Sequence, residues 1–223
     1  MRCLVFDFDG VLVDSNELKR NLYFEVFQHI PGSRPVVSAA IRADMDGDRY
    51  DVIRSILQKM HAAGLMREGE ADDEMLRQCT ERYGLLCEEA VASAPETPEC
   101  TASLERLSGE CPLYVNSATP EEPLRRVVRR RDWEKFFKAV FGRPRTKLQI
   151  LHAILEREGI PPHELAFVGD SPRDRSAAIA CGCTFIAFLS RDHQFEATAP
   201  NAIKSLSELL GAEEGTTSDV PRP

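Results

Sequence analysis

The sequence predicts an α/β protein whose parallel sheet is interrupted by an all-helical insert. A short apolar run, Leu4–Phe6, ends in two aspartates and a glycine, which is typical of a buried strand that stops at a functional loop. Strand and helix patterns alternate from residue 112 to residue 188, which favours parallel strands covered by helices on both faces. Between these two regions, residues 16–93 show helical spacing and no strand pattern.

The insert begins directly after Ser15. Asp14 and Glu17 resemble a capping box, and apolar residues then recur every four positions, at Leu18, Leu22, Val26 and Ile30. The same reasoning predicts three further helices, over residues 36–43, 48–63 and 72–93. A connector marked by two prolines, residues 94–98, then ends the insert.

Beyond the connector, short apolar runs predict strands over residues 112–116, 138–141, 165–168 and 184–188. One helix is predicted to follow Thr119 as N-cap with Pro120 in its first turn, and two others to cover residues 148–158 and 172–180. The N-terminal strand joins this sheet, because alone it has no partner. The predicted division is therefore a sheet region of residues 1–15 and 94–210, an insert of residues 16–93, and a disordered polar tail of residues 211–223.

The composition narrows the class of protein. The chain has 223 residues, of which 43% are hydrophobic and 29% charged, as in ordinary globular proteins. No apolar run approaches the roughly 20 residues that span a bilayer, and acids in the first strand rule out a signal-peptide core, so we expect a cytoplasmic protein without a membrane partner. Seven cysteines and five histidines lack metal-ligand or redox spacing, and we expect reduced thiols.

The charge argues against nucleic acid as a partner. The net charge is -8, which is not that of a general nucleic-acid surface. The basic run of residues 125–131 suggests such a surface or an acidic partner. We favour a solvated helix face with cations near its C-terminus, and with Val127, Val128 and Trp133 facing the core.

Polar side chains follow the predicted strands where ligands of parallel sheets bind. Asp7 and Asp9 follow the first strand. Two carboxylates so near each other repel, and we expect a cation to compensate them. Oxygen ligands favour Mg²⁺ as that cation. The other candidates are Ser117, Asp170 and Lys147; a lysine that starts a helix opposes the macrodipole and suits a site that neutralises an anion. Structural interpretations are also open. Asp7 and Asp9 could be acids in a turn at Gly10, Ser117 could be a turn residue, and Ser171 with Asp174 could form a capping box.

On these residues the chain resembles the haloacid dehalogenase superfamily, in its phosphatase branch, which includes phosphoglycolate phosphatases and β-phosphoglucomutase-like proteins. The four motifs are D-F-D-G-V-L-V-D-S from residue 7, N-S-A-T from residue 116, R-T-K-L-Q-I-L from residue 145 and G-D-S-P-R-D from residue 169. The resemblance runs from Arg2 to about Leu210. It implies a Rossmann-like core with a helical C1-type cap inserted after the first motif, and residues 16–93 have the length and type of that cap.

The resemblance also implies a role for each motif residue in a Mg²⁺-dependent phosphatase that forms an aspartyl-phosphate. Asp7 would be the nucleophile, and Asp9 the general acid and then the base. Mg²⁺ would be held by Asp7, the backbone carbonyl of Asp9 and Asp170, with Asp174 orienting that shell. The phosphoryl oxygens would be bound by Ser117, Lys147 and backbone amides near Asp9, Gly10 and Ala118.

Several points stay open at this level. Many relatives place the third-motif lysine before a proline, where this chain has Arg143 and Pro144; we favour Lys147 for this role, and Arg143 could share it. Val11 stands where a threonine often follows the glycine. A phosphomutase of the β-phosphoglucomutase type uses the same aspartate pair, and a binding or regulatory protein would keep the fold alone. Dehalogenases of the family lack the carboxylate that Asp9 supplies.

The substrate is expected to be a small phosphorylated metabolite, such as a sugar phosphate or a phosphoglycolate-like acid, rather than a phosphoprotein. Specificity is expected in the loop of residues 42–50, where Arg49, and less so Arg42, would meet a second anion. The alternative is that Asp46 or Asp48 caps a helix and Arg49 lies on the surface. Monomer and homodimer are both compatible with the sequence.

Overall fold

The structure is a computed structural model that describes residues 1–43, 48–66, 73–191, 195 and 201–210. Within these residues, six parallel strands form one sheet in the order β3-β2-β1-β4-β5-β6. The strands are β1 (Cys3–Phe6), β2 (Leu113–Pro120), β3 (Ala139–Arg143), β4 (Leu165–Gly169), β5 (Thr184–Phe188) and β6 (Ala202–Ile203). The predicted α/β class is confirmed, and the N-terminal strand lies at the centre of the sheet.

In the described residues, five helices lie between the first and second strands, and the first four are α1 (Asn16–Phe27), α2 (Ser33–Ala43), α3 (Arg49–Ala62) and α4 (Asp73–Ser93). We call these four helices the helical block. They bury a hydrophobic cluster of their own, which includes Leu22, Val26, Phe27, Val37, Ile53, Ile56, Met60 and Tyr83. The predicted helices of the insert are therefore present, with α2 starting three residues earlier than expected. Whether the insert is a separate domain with the stated bounds stays a prediction.

Four further helices cover the two faces of the sheet: α5 (Cys100–Glu110), α6 (Glu121–Arg130), α7 (Lys147–Glu158) and α8 (Pro172–Cys181). Side chains of β1 alternate between the faces, because successive residues of a strand point in opposite directions. Leu4 and Phe6 pack with α5 and α6, whereas Cys3 and Val5 pack with α7 and α8. Short 3₁₀ turns lie at Glu134–Phe136, Pro162–Glu164 and Leu206–Leu209.

The two connections between the sheet and the helical block run side by side. Val13 pairs with Glu96, and the N–H of Asp14 donates to the carbonyl of Pro95 at 2.9 Å. The Thr97 hydroxyl donates to the carbonyl of Val11 at 2.7 Å. The chain therefore leaves and re-enters the sheet region at one place, next to the residues that follow β1.

The basic run around α6 is used within the chain. Val127, Val128 and Trp133 are buried, as predicted. Arg126 and Arg130 form ion pairs with Glu88 and Glu89 of α4, at 2.7 and 3.3 Å. The helix face that was expected to be simply solvated thus connects α6 to the helical block.

Two predicted helix caps, Asp14 and Thr119, are wrong, although α1 begins directly after Ser15 as expected. The N-cap of α1 is Ser15, and Thr119 is the penultimate residue of β2, so that α6 begins only at Glu121 after Pro120. Both hydroxyls donate to Asp9 instead of capping a helix. The predicted capping box of Ser171 with Asp174 is present.

Helix α5 and strand β6 were not predicted. Helix α5 buries Cys100, Leu104 and Leu107, a helical spacing that the sequence does contain. Strand β6 has two residues, too few for a pattern. The predicted disordered tail, residues 211–223, lies outside the described residues.

In the described part of the chain, none of the helices combines the length and apolar character that crossing a membrane requires. All seven cysteines belong to that part, and all are free thiols, as expected.

Candidate active site

A cavity of about 290 Å³ opens at the carboxyl ends of the strands, under the helical block. The sheet region contributes the residues that follow β1 and β4, the last residues of β2 and β3, and the first residue of α7; residues of all four helices of the helical block also line the cavity. Most of the predicted site residues meet here, since the lining includes Asp7, Asp9, Arg49, Ser117, Ala118, Lys147 and Asp170. Asp174 is fully buried beneath them.

Three buried carboxylates form the floor of the site. Oxygens of Asp7, Asp170 and Asp174 lie within 4.8 Å of one another. The Lys147 ammonium lies 2.9 Å from Asp7 Oδ2 and also contacts Asp174 Oδ1. We call Asp7, Asp170, Asp174 and Lys147 the carboxylate cluster. One ammonium among three carboxylates leaves two negative charges uncompensated in a buried place.

The pKa values of the cluster reflect this imbalance. Burial raises the pKa of Asp7 well above its ordinary value; Lys147 opposes the shift, and the neighbouring aspartates add to it. Burial, reinforced by Asp174, raises the pKa of Asp170 to about 6. Burial alone would lower the pKa of Lys147, but Asp174 and Asp7 raise it above its ordinary value. The carboxylates thus favour the charged form of Lys147, whereas burial and the neighbouring aspartates disfavour the charged forms of Asp7 and Asp170.

These donors fit a divalent cation. They are carboxylate oxygens only, which is the ligand type that Mg²⁺ prefers. A charge of +2 would balance the two uncompensated negative charges. Asp174 has both oxygens occupied, by Lys147 and by the N–H and hydroxyl of Ser171 at 3.1 and 2.5 Å. Asp7 and Asp170 line the cavity and Asp174 does not, so they are better placed than Asp174 to give an oxygen to a cation that enters it.

Asp9 has a different environment, although it is only two residues from Asp7. Its Oδ1 accepts a hydrogen bond from the Ser15 hydroxyl at 2.6 Å. Its Oδ2 lies 2.5 Å from the Lys19 ammonium and accepts from the Thr119 hydroxyl at 3.1 Å. Burial would raise the pKa of Asp9, but the charge and hydrogen bond of Lys19, with the two hydroxyls, hold it below its ordinary value. The three donors Ser15, Lys19 and Thr119 therefore stabilise the ionised carboxylate of Asp9.

One predicted phosphate ligand is wrong. The Gly10 N–H donates to the carbonyl of Val13 at 2.7 Å, so it is not available to a phosphoryl group. This bond closes a tight turn in which Gly10 has a φ of +81°. A Cβ at Gly10 would lie 1.9 Å from Asp170 Oδ2 and 2.4 Å from Asn16 Nδ2. The glycine is therefore required by the close approach of these side chains.

The structure separates the predicted alternatives Lys147 and Arg143. Lys147 is the first residue of α7, after the N-cap Thr146, and its carbonyl accepts from the buried Asn116 side chain at 3.0 Å. Its ammonium reaches the carboxylates from there. Arg143 Nη1 instead donates to Asp48 Oδ2 at 2.6 Å, and Asp48 is the N-cap of α3. Arg143 therefore joins the sheet region to the helical block and does not contact the carboxylate cluster.

Arg49 lines the cavity. Asp48 caps α3, which was one part of the alternative prediction for this loop. The Arg49 guanidinium lies over the ring of Tyr83, with 5.6 Å to the ring centre. Arg42 is exposed and donates to the Ser38 hydroxyl at 2.6 Å, so it is not part of the lining. Asp46, the other predicted cap, lies outside the described residues.

The predictions missed several polar residues that contact the aspartates, including Ser15 beside Asp9 and Ser190 beside Asp170. Lys19 and Thr119 reach Asp9, and Asn16 Nδ2 donates to Asp170 Oδ2 at 2.7 Å. Thr119 lies in the second motif and was interpreted as a helix cap. Lys19 and Asn16 stand on an amphipathic helix, where a polar residue usually faces solvent. The sequence signal for these two contacts was the distance from Ser15: Asn16 is the next residue, and Lys19 follows Ser15 by four residues, about one helical turn.

A sequence model of the haloacid dehalogenase-like hydrolases matches residues 1–182. The phosphoglycolate phosphatase of Escherichia coli (strain K12) is 30% identical over 154 residues, which are 64% of this chain and only 60% of the relative's length. The phosphoglycolate phosphatase of Chromobacterium violaceum is 29% identical and covers 84% of each chain.

A similar fold is found among solved structures. A Thermotoga maritima protein assigned as a beta-phosphoglucomutase superposes with a TM-score of 0.70, over 94% of this chain and 97% of that one. The identity is 21%, so this likeness concerns the fold.

Proposed function

Because the chain belongs to the haloacid dehalogenase-like hydrolase family, we propose that it is a phosphatase that hydrolyses a small phosphomonoester in two steps through Asp7. The observation that carries the proposal is the position of Asp7 on the cavity floor. One of its oxygens lies 2.9 Å from the Lys147 ammonium, the Asp170 carboxylate is its neighbour, and Asp9 lines the same cavity. A nucleophile, a fixed cation, a cation-binding group and an acid–base group thus surround one space.

In the first step, an oxygen of Asp7 attacks phosphorus and forms an aspartyl-phosphate. The bond between phosphorus and the leaving oxygen breaks, and Asp9 gives its proton to that oxygen. Asp9 must first take up this proton, which the negative charge of an incoming phosphate favours. The Lys147 ammonium and the Ser117 hydroxyl, both in the cavity wall, would bind the phosphoryl oxygens and stabilise their charge.

In the second step, water attacks phosphorus and the bond to Asp7 breaks. Asp9, now a carboxylate, takes the proton of the attacking water, and inorganic phosphate leaves. The three donors around Asp9 suit this ionised form. The covalent intermediate thus replaces one difficult hydrolysis step with two easier displacements.

We propose that Asp7, the backbone carbonyl of Asp9 and Asp170 hold Mg²⁺, and that Asp174 supports this set from behind. When bound, Mg²⁺ supplies positive charge that offsets the repulsion between a carboxylate and an anionic phosphate. Asp174 has its oxygens fixed by Lys147 and Ser171, so it keeps the lysine in place beside Asp7.

We propose that the helical block acts as a cap that encloses a small substrate. A cavity of about 290 Å³ suits a metabolite of a few heavy atoms beyond the phosphate. Arg49 lines the cavity and packs on Tyr83, in contrast to Lys147 and Arg143, which pair with carboxylates. A leaving group with its own anion, as in 2-phosphoglycolate, therefore suits this wall better than a neutral sugar. The cytoplasmic location and the choice between monomer and homodimer stay predictions.

The test is phosphate release from a panel of phosphomonoesters that includes 2-phosphoglycolate, sugar phosphates and p-nitrophenyl phosphate. We expect release with Mg²⁺ and its loss with a chelator. The Asp7→Asn variant should lose roughly a thousandfold or more of the turnover, because the nucleophile is removed. Circular dichroism would verify that the variant is folded.

Near-normal turnover by Asp7→Asn would show that another group is the nucleophile. Consumption of a sugar bisphosphate without net phosphate release would instead identify a phosphomutase. No turnover on any member of the panel would favour a binding or regulatory protein.

A further inference from the structure

Lys19 lines the cavity, whereas a lysine on an amphipathic helix usually faces solvent. It lies on α1, and its side chain is 17% exposed. Its ammonium lies 2.5 Å from Asp9 Oδ2 and donates to the Thr119 hydroxyl at 3.0 Å. The same hydroxyl donates to Asp9 Oδ2 at 3.1 Å. Lys19, Thr119 and Asp9 therefore form a closed triangle on the cavity wall.

The helical block fixes the backbone of Lys19. The Tyr83 hydroxyl of α4 donates to the Lys19 carbonyl at 3.2 Å. Tyr83 is itself buried and stacked on Tyr23, with ring centres 4.1 Å apart. The Lys19 ammonium is therefore placed by two packed helices, and its location depends on how the helical block sits on the sheet.

The Asp9 carboxylate is held at both oxygens. Ser15 fixes Oδ1, and Lys19 with Thr119 fixes Oδ2. An aspartate side chain has two rotatable bonds, so contacts at both oxygens determine its direction. Of these three partners, Lys19 alone is charged, and a charge-assisted hydrogen bond is stronger than a neutral one.

We propose that Lys19 is a positioning residue that aims the Asp9 carboxylate at the reacting phosphoryl group. This inference rests on the proposed function, because it assigns to Lys19 an effect on the acid–base group of that reaction. Lys19 acts through Asp9, and it links the position of the helical block to the geometry of catalysis. The competing interpretation, in which Lys19 binds an oxygen of the substrate directly, is separated from it by experiment.

The test is a double-mutant cycle with Lys19→Met and Asp9→Asn, measured as Mg²⁺-dependent hydrolysis of p-nitrophenyl phosphate. Lys19→Met removes the ammonium and keeps a side chain of similar length. We expect kcat to fall roughly 10- to 100-fold because Asp9 is misplaced, with KM nearly unchanged. In the Asp9→Asn background, the same substitution should change kcat by less than about twofold, since residues that act as a unit are not additive.

Two variants complete the design. Lys19→Arg keeps the charge and should recover most of kcat in the wild-type background. Lys204→Met is the matched control, because Lys204 is exposed and does not line the cavity; its kinetics should equal those of the wild type. If Lys19→Met does not fold, the cycle is repeated with Lys19→Gln, which keeps a polar end.

The outcomes distinguish this inference from the proposed function. Absence of Mg²⁺-dependent turnover in the wild type would overturn the proposed function, and the inference with it. An active wild type with a full additional loss from Lys19→Met in the Asp9→Asn background would overturn the inference alone. A rise in KM with unchanged kcat would do the same and would assign Lys19 to substrate binding.

Discussion

The two aspartates of the first motif are two residues apart but have opposite surroundings. Asp7 belongs to the carboxylate cluster, which has more negative than positive charge, and burial raises its pKa. Asp9 faces the helical block, where burial is outweighed by Lys19 and two hydroxyls, and its pKa is lowered. Under the proposed function, this pair of carboxylates is divided between a metal-binding side, that of Asp7, and an acid–base side, that of Asp9.

The difference follows from which elements supply the neighbours. Asp7 is surrounded by groups that follow β3 and β4, which are parts of the sheet region. Asp9 is surrounded by residues of the β1–α1 connection, α1 and the end of β2. The sheet region therefore holds Asp7, the proposed nucleophile, whereas the position of Asp9, the proposed acid–base group, also depends on a helix of the insert.

The largest expected effect separates the two aspartates by the covalent species that each variant forms. Asp7→Asn should form no phosphoenzyme with p-nitrophenyl phosphate, since the attacking oxygen is lost. Asp9→Asn should slow turnover by about 10²- to 10⁴-fold and accumulate phosphoenzyme, because an aryl leaving group needs little protonation whereas water still needs a base. Acid quenching followed by intact-mass measurement would detect the added phosphoryl group.

The wild type, quenched in the same way, is the reference for the amount of phosphoenzyme at steady state. A phosphoryl adduct on Asp7→Asn but not on Asp9→Asn would reverse the two roles. Equal adducts on both variants would place the covalent group on another residue.

Residues at strand ends could be predicted from the sequence, because parallel strands place their carboxyl ends at one edge whatever the details of packing. Asp7, Ser117 and Asp170 were found in this way, and the structure places them together. Lys147 was identified from its place at a helix start, and it is the first residue of α7.

The contacts from the helical block could not be predicted. Lys19 and Asn16 reach the aspartates only because α1 packs over the sheet, and one sequence does not specify how two units dock. The role of Arg143 was left open for the same reason, since its partner Asp48 is 95 residues away. Helix α5 is a different case, because its buried positions carry helical spacing and the pattern was overlooked.

The metal-binding side should respond to pH in a way that the acid–base side does not. The pKa of Asp170 is raised from 3.8 to about 6, so without metal its contribution to stability is present below pH 3.8 and is lost as the pH rises through 6. Mg²⁺ binding opposes this loss, since it needs the ionised carboxylate. At Mg²⁺ about 100-fold above Kd, we expect Tm to rise by roughly 5 to 10 °C at pH 7.5 and much less at pH 5.

Differential scanning fluorimetry with and without Mg²⁺ would measure this shift across the pH range. Asp170→Asn should be stable without metal and show little response to Mg²⁺ at any pH. A Mg²⁺ shift of the same size at pH 5 and pH 7.5 would contradict a site built on Asp170.

Asn16 sharpens the comparison, because it crosses from the helical block to the metal-binding side. It is the first residue of α1, one turn before Lys19, and its amide donates to Asp170 Oδ2 at 2.7 Å. A neutral donor fixes the carboxylate without adding charge, which is how residues behind a ligand set orient it. Asn16→Ala should therefore weaken Mg²⁺ binding by about 10- to 100-fold, measured by isothermal titration calorimetry without substrate.

Asn21→Ala is the matched control, since Asn21 lies on the same helix and is exposed. It should bind Mg²⁺ like the wild type. Unchanged affinity in Asn16→Ala would mean that the sheet region alone orients Asp170, and that α1 serves only the acid–base side. Weakened affinity would instead show that one helix supports both aspartates of the first motif: Asp9 directly through Lys19, and Asp7 through the cation that it shares with Asp170.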